Sequence, residues 1–347
     1  MDLKTLGIRT LVHSGFPRLL HRTFYPDRVA ILMYHGVVRE PLDVDDWCFL
    51  NEEDFRQQIQ YLKDHFEVVT LAEVVARLRR GEVRRPTAAI TFDDGYQNNY
   101  DVAFPILREA ALPATIFLST GLVGTAQTVW FCHLIRALAE TTLPRLEWNG
   151  FRIDLNGAAA RARACARLQA SLKDLPHARL IEELHGILKA LDEETDRPAE
   201  AGSPFRILDA ASIRAMADSG LIDFGAHTQS HVILAHLPPE EQRVEIERSV
   251  AEVARLTGRP CRFFAYPNGL RKDFDAASEE ILRSLAIEAA VTTISGANNQ
   301  RTPPLELRRY GIGSHLPLAQ FELLIHHATT QLRRMVSWDD TAPPYAS

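Results

Sequence analysis

The pentapeptide Thr91-Phe92-Asp93-Asp94-Gly95 sets two adjacent carboxylates behind an apolar run, and far downstream His227-Thr228-Gln229-Ser230-His231 sets two imidazoles four residues apart. Neutral imidazole and carboxylate are good ligands for zinc and similar divalent ions, and a catalytic site keeps three protein ligands so that water can take the open position. Asp94, His227 and His231 would fill such a set, leaving Asp93 free as a general base. A metal of this kind polarises a carbonyl and lowers the pKa of its bound water towards about 7, while a carboxylate within hydrogen-bond reach takes the proton during attack. These parts point to a metal-dependent hydrolase. Two histidines and one carboxylate are also the ligand set of non-haem iron oxygenases, but there Asp93 would have no task.

The elements around these residues must hold them at one place. Ala88-Ala89-Ile90-Thr91-Phe92 reads as a short buried strand closed by Gly95, which puts both aspartates at its C-terminal end. Extended backbone would point their side chains in opposite directions, one towards metal and one towards substrate. Ile222-Asp223-Phe224-Gly225-Ala226 is a second strand-like run that ends where the histidine pair begins. The chain has 13 histidines, and His133, His177, His185, His236, His326 and His327 read as ordinary surface or core residues.

Apolar runs recur at 29 to 34, 88 to 92, 114 to 118, 221 to 225, 262 to 266 and 289 to 294, with helical patterns between them. This β/α alternation predicts an α/β fold with a parallel sheet closed, or nearly closed, into a barrel. A length of 347 residues divides into about two domains, yet barrels of 200 to 250 residues commonly form one. Four segments follow: an N-terminal segment 1–28, a first barrel part 29–124, an insertion 125–205, and a second barrel part with a C-terminal tail 206–347. The insertion breaks the alternation over a stretch too long for an ordinary loop. A helical pattern at 129–138, an Asn149-Gly150 hairpin signal and two amphipathic helices near 158–175 and 177–191 make it a mainly helical subdomain. Leaving after Ser119-Thr120-Gly121, it would start from the catalytic face and could wall a substrate cleft or serve packing or dimerisation.

Thr91–Gly95 and His227–His231 resemble the first and second motifs of the NodB-type polysaccharide deacetylases, carbohydrate esterase family four. Val29 to Val37 is similar to the opening strand of one branch, and Phe263-Phe264-Ala265-Tyr266-Pro267-Asn268-Gly269 to the third motif. The resemblance implies an irregular, seven-stranded (β/α) barrel and removal of N-acetyl or O-acetyl groups from sugars with a divalent metal, usually zinc. It makes Asp93 the base and Asp94, His227 and His231 the ligands, with the Asn268 N–H helping to hold the oxyanion. Tyr34, Tyr96, Tyr266 and Pro267 are the expected substrate contacts. Two departures stand out. Ala265 occupies the place of the usual motif arginine, and Arg262 lies too far along the strand to replace it; Arg309, in Leu307-Arg308-Arg309-Tyr310, is the candidate partner of Asp93, against an exposed structural arginine. The usual Leu-x-His motif has no clear counterpart, His315 being a loose substitute. His35, at the end of the first strand, is the candidate general acid, its alternative a hydrogen bond to a loop.

The expected reaction is hydrolysis of the N-acetyl group of an amino sugar in an oligosaccharide, polysaccharide or glycolipid. Alternatives are a sugar O-acetyl esterase or deformylase, a silent carbohydrate-binding protein, and the oxygenase. A net charge of −6 without a basic, aromatic-interleaved run argues against nucleic acid. No run of about 20 apolar residues could span a bilayer. Cys48, Cys132, Cys165 and Cys261 lack Cys-x-x-Cys spacing and read as buried thiols. Met1 to Arg22 carries Lys4, Arg9, Arg18 and Arg22 among apolar residues without the continuous apolar core of a signal peptide. The expectation is a cytoplasmic protein, with an N-terminal amphipathic helix that packs on its own domain or touches the inner membrane face.

Overall fold

Seven short parallel strands carry the site: β1 (Val29–Tyr34), β2 (Thr87–Phe92), β3 (Ala114–Leu118), β4 (Ile222–Ala226), β5 (Phe263–Ala265), β6 (Ala289–Val291) and β7 (Tyr310–Gly311). The computed structural model describes residues 12, 14–195, 197–314 and 316–328. Hydrogen bonding orders the strands β7-β1-β2-β3-β4-β5-β6, and the two-residue strand Glu67–Val68 adds to β2 off this path. Every residue of β1, β2 and β3 is buried, which explains why these strands read as continuous apolar runs rather than alternating ones.

A single segment joins the two edges of the sheet. Leu307 bridges Val291 in parallel, its N–H donating to the Ala290 carbonyl at 3.0 Å and its carbonyl accepting from Thr292 N–H at 2.8 Å. Tyr310, only a little further on, pairs with Leu32 of β1. The Leu307–Gly311 stretch is therefore the closing stave of the barrel, as the expected seven-stranded architecture requires.

Alternate residues of the strands go to different cores. Ala30, Leu32, Tyr34, Ile90 and Phe92 pack with Phe55, Ile59 and Leu62 of the helix Glu52–His65. Val29, Ile31, Ala89, Phe117, Phe263, Ala265, Val291 and Leu307 form the other cluster. Helix starts are capped where the sequence offers a side chain: Asn51 accepts from Asp54 N–H, Thr70 from Glu73 N–H, and Asp275 with Ser278 makes a capping box.

Between β3 and β4 the insertion contains the helix Trp130–Glu140, the hairpin Arg145–Trp148/Phe151–Asp154, and the helices Ala158–Lys173 and His177–Ala190. Asn149 (φ 51°) and Gly150 (φ 77°) both take the left-handed conformation that a tight two-residue hairpin turn needs. The insertion builds a core from Leu134, Leu138, Leu168, Leu184 and Leu188, and shares it with Val44, Phe49 and Tyr96 of the barrel loops. The four cysteines are buried and free.

Of the N-terminal segment, the described part includes the helix Phe16–Phe24, which buries Pro17, Leu20 and His21 and leaves Leu19 and Phe24 exposed. His21 lies against Phe66 and against His326 and His327, which follow the helix Leu318–Ile325. The rest of the expected amphipathic helix, residues 1–11 and 13, lies outside the described residues. Among the described residues no helix is long and apolar enough to cross a membrane.

Candidate metal centre

Strand register brings the motifs to one end of the barrel. Tyr34 pairs with Phe92, so His35 and Asp93 are the next residues on neighbouring strands, and Asp93 N–H donates to the Tyr34 carbonyl at 2.9 Å. Leu118 pairs with Ala226, and His227 N–H donates to the Leu118 carbonyl at 2.9 Å. The loops that follow are bent hard. Asp94 (φ 70°), Thr228 (φ 60°), His231 (φ 55°) and Asn268 (φ 57°) all hold left-handed backbone without being glycine. Such residues cost about 1–3 kcal/mol each and persist only where the surroundings over-determine them. This corrects the extended geometry expected for the aspartate pair: the left-handed turn at Asp94, not strand pleat, separates the two carboxylates.

Asp94, His227 and His231 are buried, and one donor atom from each lies within 4.8 Å of the others. His231 Nε2 is 3.2 Å and His227 Nε2 3.6 Å from Asp94 Oδ1. Ligands about 2.0–2.1 Å from a tetrahedral ion stand roughly 3.4 Å apart, so this spacing suits a zinc-sized cation. Neither Asp94 oxygen makes a hydrogen bond among the described residues, although the side chain is only 1% exposed. A buried carboxylate without hydrogen bonds is costly unless a cation compensates it. His227 Nδ1 is 2.7 Å from the Ala265 carbonyl and donates to it, which fixes the tautomer and turns Nε2 towards Asp94. Burial, helped by His231, lowers the His227 pKa to about 4, in the neutral form that a ligand needs. The residues present fit a divalent ion.

Asp93 has a partner of its own. Arg309, fully buried, forks onto it with Nη1–Oδ1 and Nη2–Oδ2 both at 2.7 Å. Arg309 Nη1 also reaches Thr91 Oγ1 at 3.2 Å, and Nε donates to the Thr292 carbonyl at 2.8 Å. Burial alone would raise the Asp93 carboxyl, but Arg309 and then His227 outweigh it and hold its pKa below the ordinary carboxylate value. The alternative of an exposed structural arginine is set aside by this burial. Arg262, at the start of β5, instead pairs with Glu288 at 2.6 and 2.9 Å.

His35 is 9% exposed, and its Nδ1 has no hydrogen-bond partner among the described residues. Burial lowers its pKa, partly offset by Asp94 and Asp93. The Trp47 ring stands edge-on at 4.9 Å from it, and Phe131 of the insertion lies 5.9 Å from the His231 ring. Neither aromatic was expected, because nothing in local sequence ties residue 47 to 35 or 131 to 231. Asn268 N–H donates to no group among the described residues. Pro267 is buried beside it.

The three tyrosines expected as substrate contacts are corrected by the structure: Tyr34, Tyr96 and Tyr266 each have 0% exposure. Tyr34 lies on the outward core face and donates to Gln58 Oε1 at 2.9 Å. The Tyr96 hydroxyl meets Cys132 Sγ at 3.3 Å in the core shared with the insertion. Tyr266 stacks on Phe274, centroids 4.0 Å apart. Their positions beside motifs put them near the site in sequence, but packing turns the rings into hydrophobic cores. His315 lies outside the described residues.

The model of the family described as polysaccharide deacetylase matches residues 80–290, well over half of the chain. The chain belongs to the polysaccharide deacetylase family. It is 38% identical over 102 residues, 29% of its own length and 34% of the relative's, to a poly-β-1,6-N-acetyl-D-glucosamine N-deacetylase of Staphylococcus epidermidis. It is 36% identical over 76 residues, 22% of its length, to the Staphylococcus aureus protein of the same name, covering 26% of it. The chain thus spans about a third or less of these curated relatives. Among solved structures, the Streptococcus pyogenes deacetylase PplD in complex with acetate has a TM-score of 0.58 at 19% identity, over 86% of this chain and 99% of that one. IcaB from Ammonifex degensii has a TM-score of 0.56 at 20% identity, over 86% and 97%. At these identities the likeness is one of fold, and it agrees with the seven-stranded deacetylase barrel.

Proposed function

We propose that this chain is a metal-dependent deacetylase that hydrolyses the N-acetyl group of an amino sugar within a glycan or glycolipid. The observation that carries the reading is the pairing of roles at one mouth: a buried Asp94 facing two imidazole nitrogens, beside an Asp93 whose charge is held by Arg309. A divalent ion, zinc by the donor set and spacing, would be held by Asp94, His227 and His231 and would polarise the acetyl carbonyl and acidify water. Asp93, ionised and oriented by Arg309, accepts the proton of the attacking water. Asn268 N–H, presented by the left-handed turn after Pro267, donates to the oxyanion that forms at the acetyl carbonyl oxygen. His35 conveys to the departing amine the proton that Asp93 takes from the attacking water, so the step neither needs nor leaves a surplus proton. The products are acetate and a free amine. Trp47 and Phe131 supply apolar walls beside these groups, and the named substrate of the staphylococcal relatives makes β-1,6-linked N-acetylglucosamine the first oligomer to try.

Elemental mass spectrometry on wild type and the His227→Ala/His231→Ala double variant, followed by an acetate-release screen of acetylated oligosaccharides, tests the proposal. About one zinc per chain, lost in the variant, with acetate released only by wild type, is the expected result. Iron in that site would favour the oxygenase, and glycan binding without acetate release a silent binding protein. A sugar O-acetyl ester or a formamide is the second reading, since Asp93, Asn268 and the three ligands address the water and the carbonyl, and His35 can serve a departing oxygen as well as a nitrogen; the same panel separates them.

A further inference from the structure

The ligands His227 and His231 sit on a loop that Thr228 Oγ1 braces locally, accepting from Val232 N–H at 3.3 Å, and that other elements hold from both sides. Two of its five residues, Thr228 and His231, hold left-handed backbone at φ 60° and 55°. One side of the loop is hooked to the chain after β3: Thr120 N–H donates to the Thr228 carbonyl at 3.2 Å and Gly121 N–H to the Gln229 carbonyl at 2.8 Å. A Cβ at residue 121 would stand 2.7 Å from that Gln229 oxygen, so only glycine permits the approach. The other side presents two successive N–H groups and a hydroxyl. Glu245, on the helix Pro239–Thr257, takes all three: Oε2 accepts from Gln229 N–H at 2.9 Å and Ser230 N–H at 3.0 Å, and Oε1 from Ser230 Oγ at 2.8 Å.

We propose that Glu245 is a positioning residue of the metal centre, one that clamps the His227–His231 loop in its ligating shape while touching neither metal nor substrate. The inference rests on the reading that His227 and His231 hold a divalent ion. Successive backbone N–H groups in a tight turn form a concavity that binds an anion, and here the chain provides its own. A carboxylate accepting such bonds makes charge-assisted contacts stronger than neutral ones. Without them, the loop is free to relax its left-handed residues and to part the two imidazoles. Groups that orient metal ligands typically affect metal affinity by about 10- to 100-fold when removed.

The experiment titrates metal-free protein with zinc alone, against a competing chromophoric chelator, for wild type, Glu245→Ala, Glu245→Gln and Glu247→Ala. The melting temperature of each metal-free protein is recorded alongside. Glu245→Ala is expected to weaken zinc binding by about 10- to 100-fold. Glu245→Gln, whose amide oxygen can accept from both N–H groups while its NH2 donates to Ser230 Oγ, should recover most of the affinity. Glu247→Ala removes a carboxylate from the exposed side of the same helix and should leave affinity unchanged, which separates positioning from a general charge effect. Zinc affinity at the wild-type level in Glu245→Ala would overturn the proposal and leave the metal site standing. So would equal losses in the Gln and Ala variants, because the charge rather than the clamp would then be acting. Failure of wild type itself to bind zinc would remove the metal-site reading and this inference with it.

Discussion

Arg309 meets Asp93 with both arms of its guanidinium, 2.7 Å to each carboxylate oxygen, across 216 positions of sequence. Both side chains are buried, at 0% and 2% exposure. The pair restores, from the closing stave of the barrel, the cation that Ala265 does not provide on β5. Removing one partner of a buried ion pair leaves the other uncompensated, at a cost of about 3–5 kcal/mol. Arg309→Met should therefore lower stability by that order in chemical denaturation and reduce acetate release by two orders of magnitude or more. Arg309→Lys, a point charge that cannot fork, should fall between. A Met variant with wild-type turnover would disconnect Arg309 from the chemistry.

Asp93→Asn keeps the shape of the side chain and an acceptor for Arg309 but removes the base. Loss of a positioned general base is worth about 10²–10⁴ in rate. Turnover on an oligomer accepted by wild type should fall by that factor, while zinc content stays near one per chain because Asp94 is untouched. An Asn variant that also loses its zinc would show that the two aspartates cannot be assigned separate tasks.

Tyr34 offers a test of the corrected contacts. Its hydroxyl donates to Gln58 Oε1 in the core, so Tyr34→Phe, which leaves that buried acceptor unpaired, should cost about 1–3 kcal/mol of stability. KM and kcat should not move. A several-fold rise in KM without a change in stability would return Tyr34 to the substrate site.

The joint between the N-terminal and C-terminal helices carries a pH signature. His21 Nδ1 lies 3.0 Å from His326 Nδ1, Tyr61 hydroxyl 3.0 Å from His326 Nε2, and Tyr310 hydroxyl 2.8 Å from His327 Nδ1. Burial lowers the pKa of His21 from 6.5 to about 4, of His326 to about 2 and of His327 to about 3. Between the ordinary value and these values the unfolded chain binds protons that the folded chain refuses. Their contribution to stability is thus complete above about pH 6.5 and is lost progressively as pH falls towards 4 and below. His21→Phe should reduce the slope of unfolding free energy against pH, between 6 and 4, by up to one proton, about 1.4 kcal/mol per pH unit. An unchanged slope would mean that His21 titrates normally in the folded protein.

Six of the seven strands and the outline of the insertion were legible in the sequence, and the donor types at two strand ends suggested a ligand set, because each is written locally. Buried strands need unbroken apolar runs, an Asn-Gly turn needs two residues that accept positive φ, and metal ligands need specific donor types at strand ends. β7 was invisible to pattern reading because a two-residue strand has no period; only the likeness to the family called for a seventh. What tertiary structure decided was direction and partnership. The left-handed turn at Asp94, and not strand alternation, separates the two carboxylates. Tyr34 turns into the core by strand pleat, and Tyr96 and Tyr266, beyond the strand ends, are buried by packing on Phe49 and Phe274. Phe131 beside His231 and the fork of Arg309 on Asp93 join segments far apart in the chain, while Trp47 beside His35 and Glu245 on Gln229 and Ser230 meet across intervening turns. Such pairings depend on barrel closure and loop packing, which bring distant residues together without leaving a local pattern in the sequence.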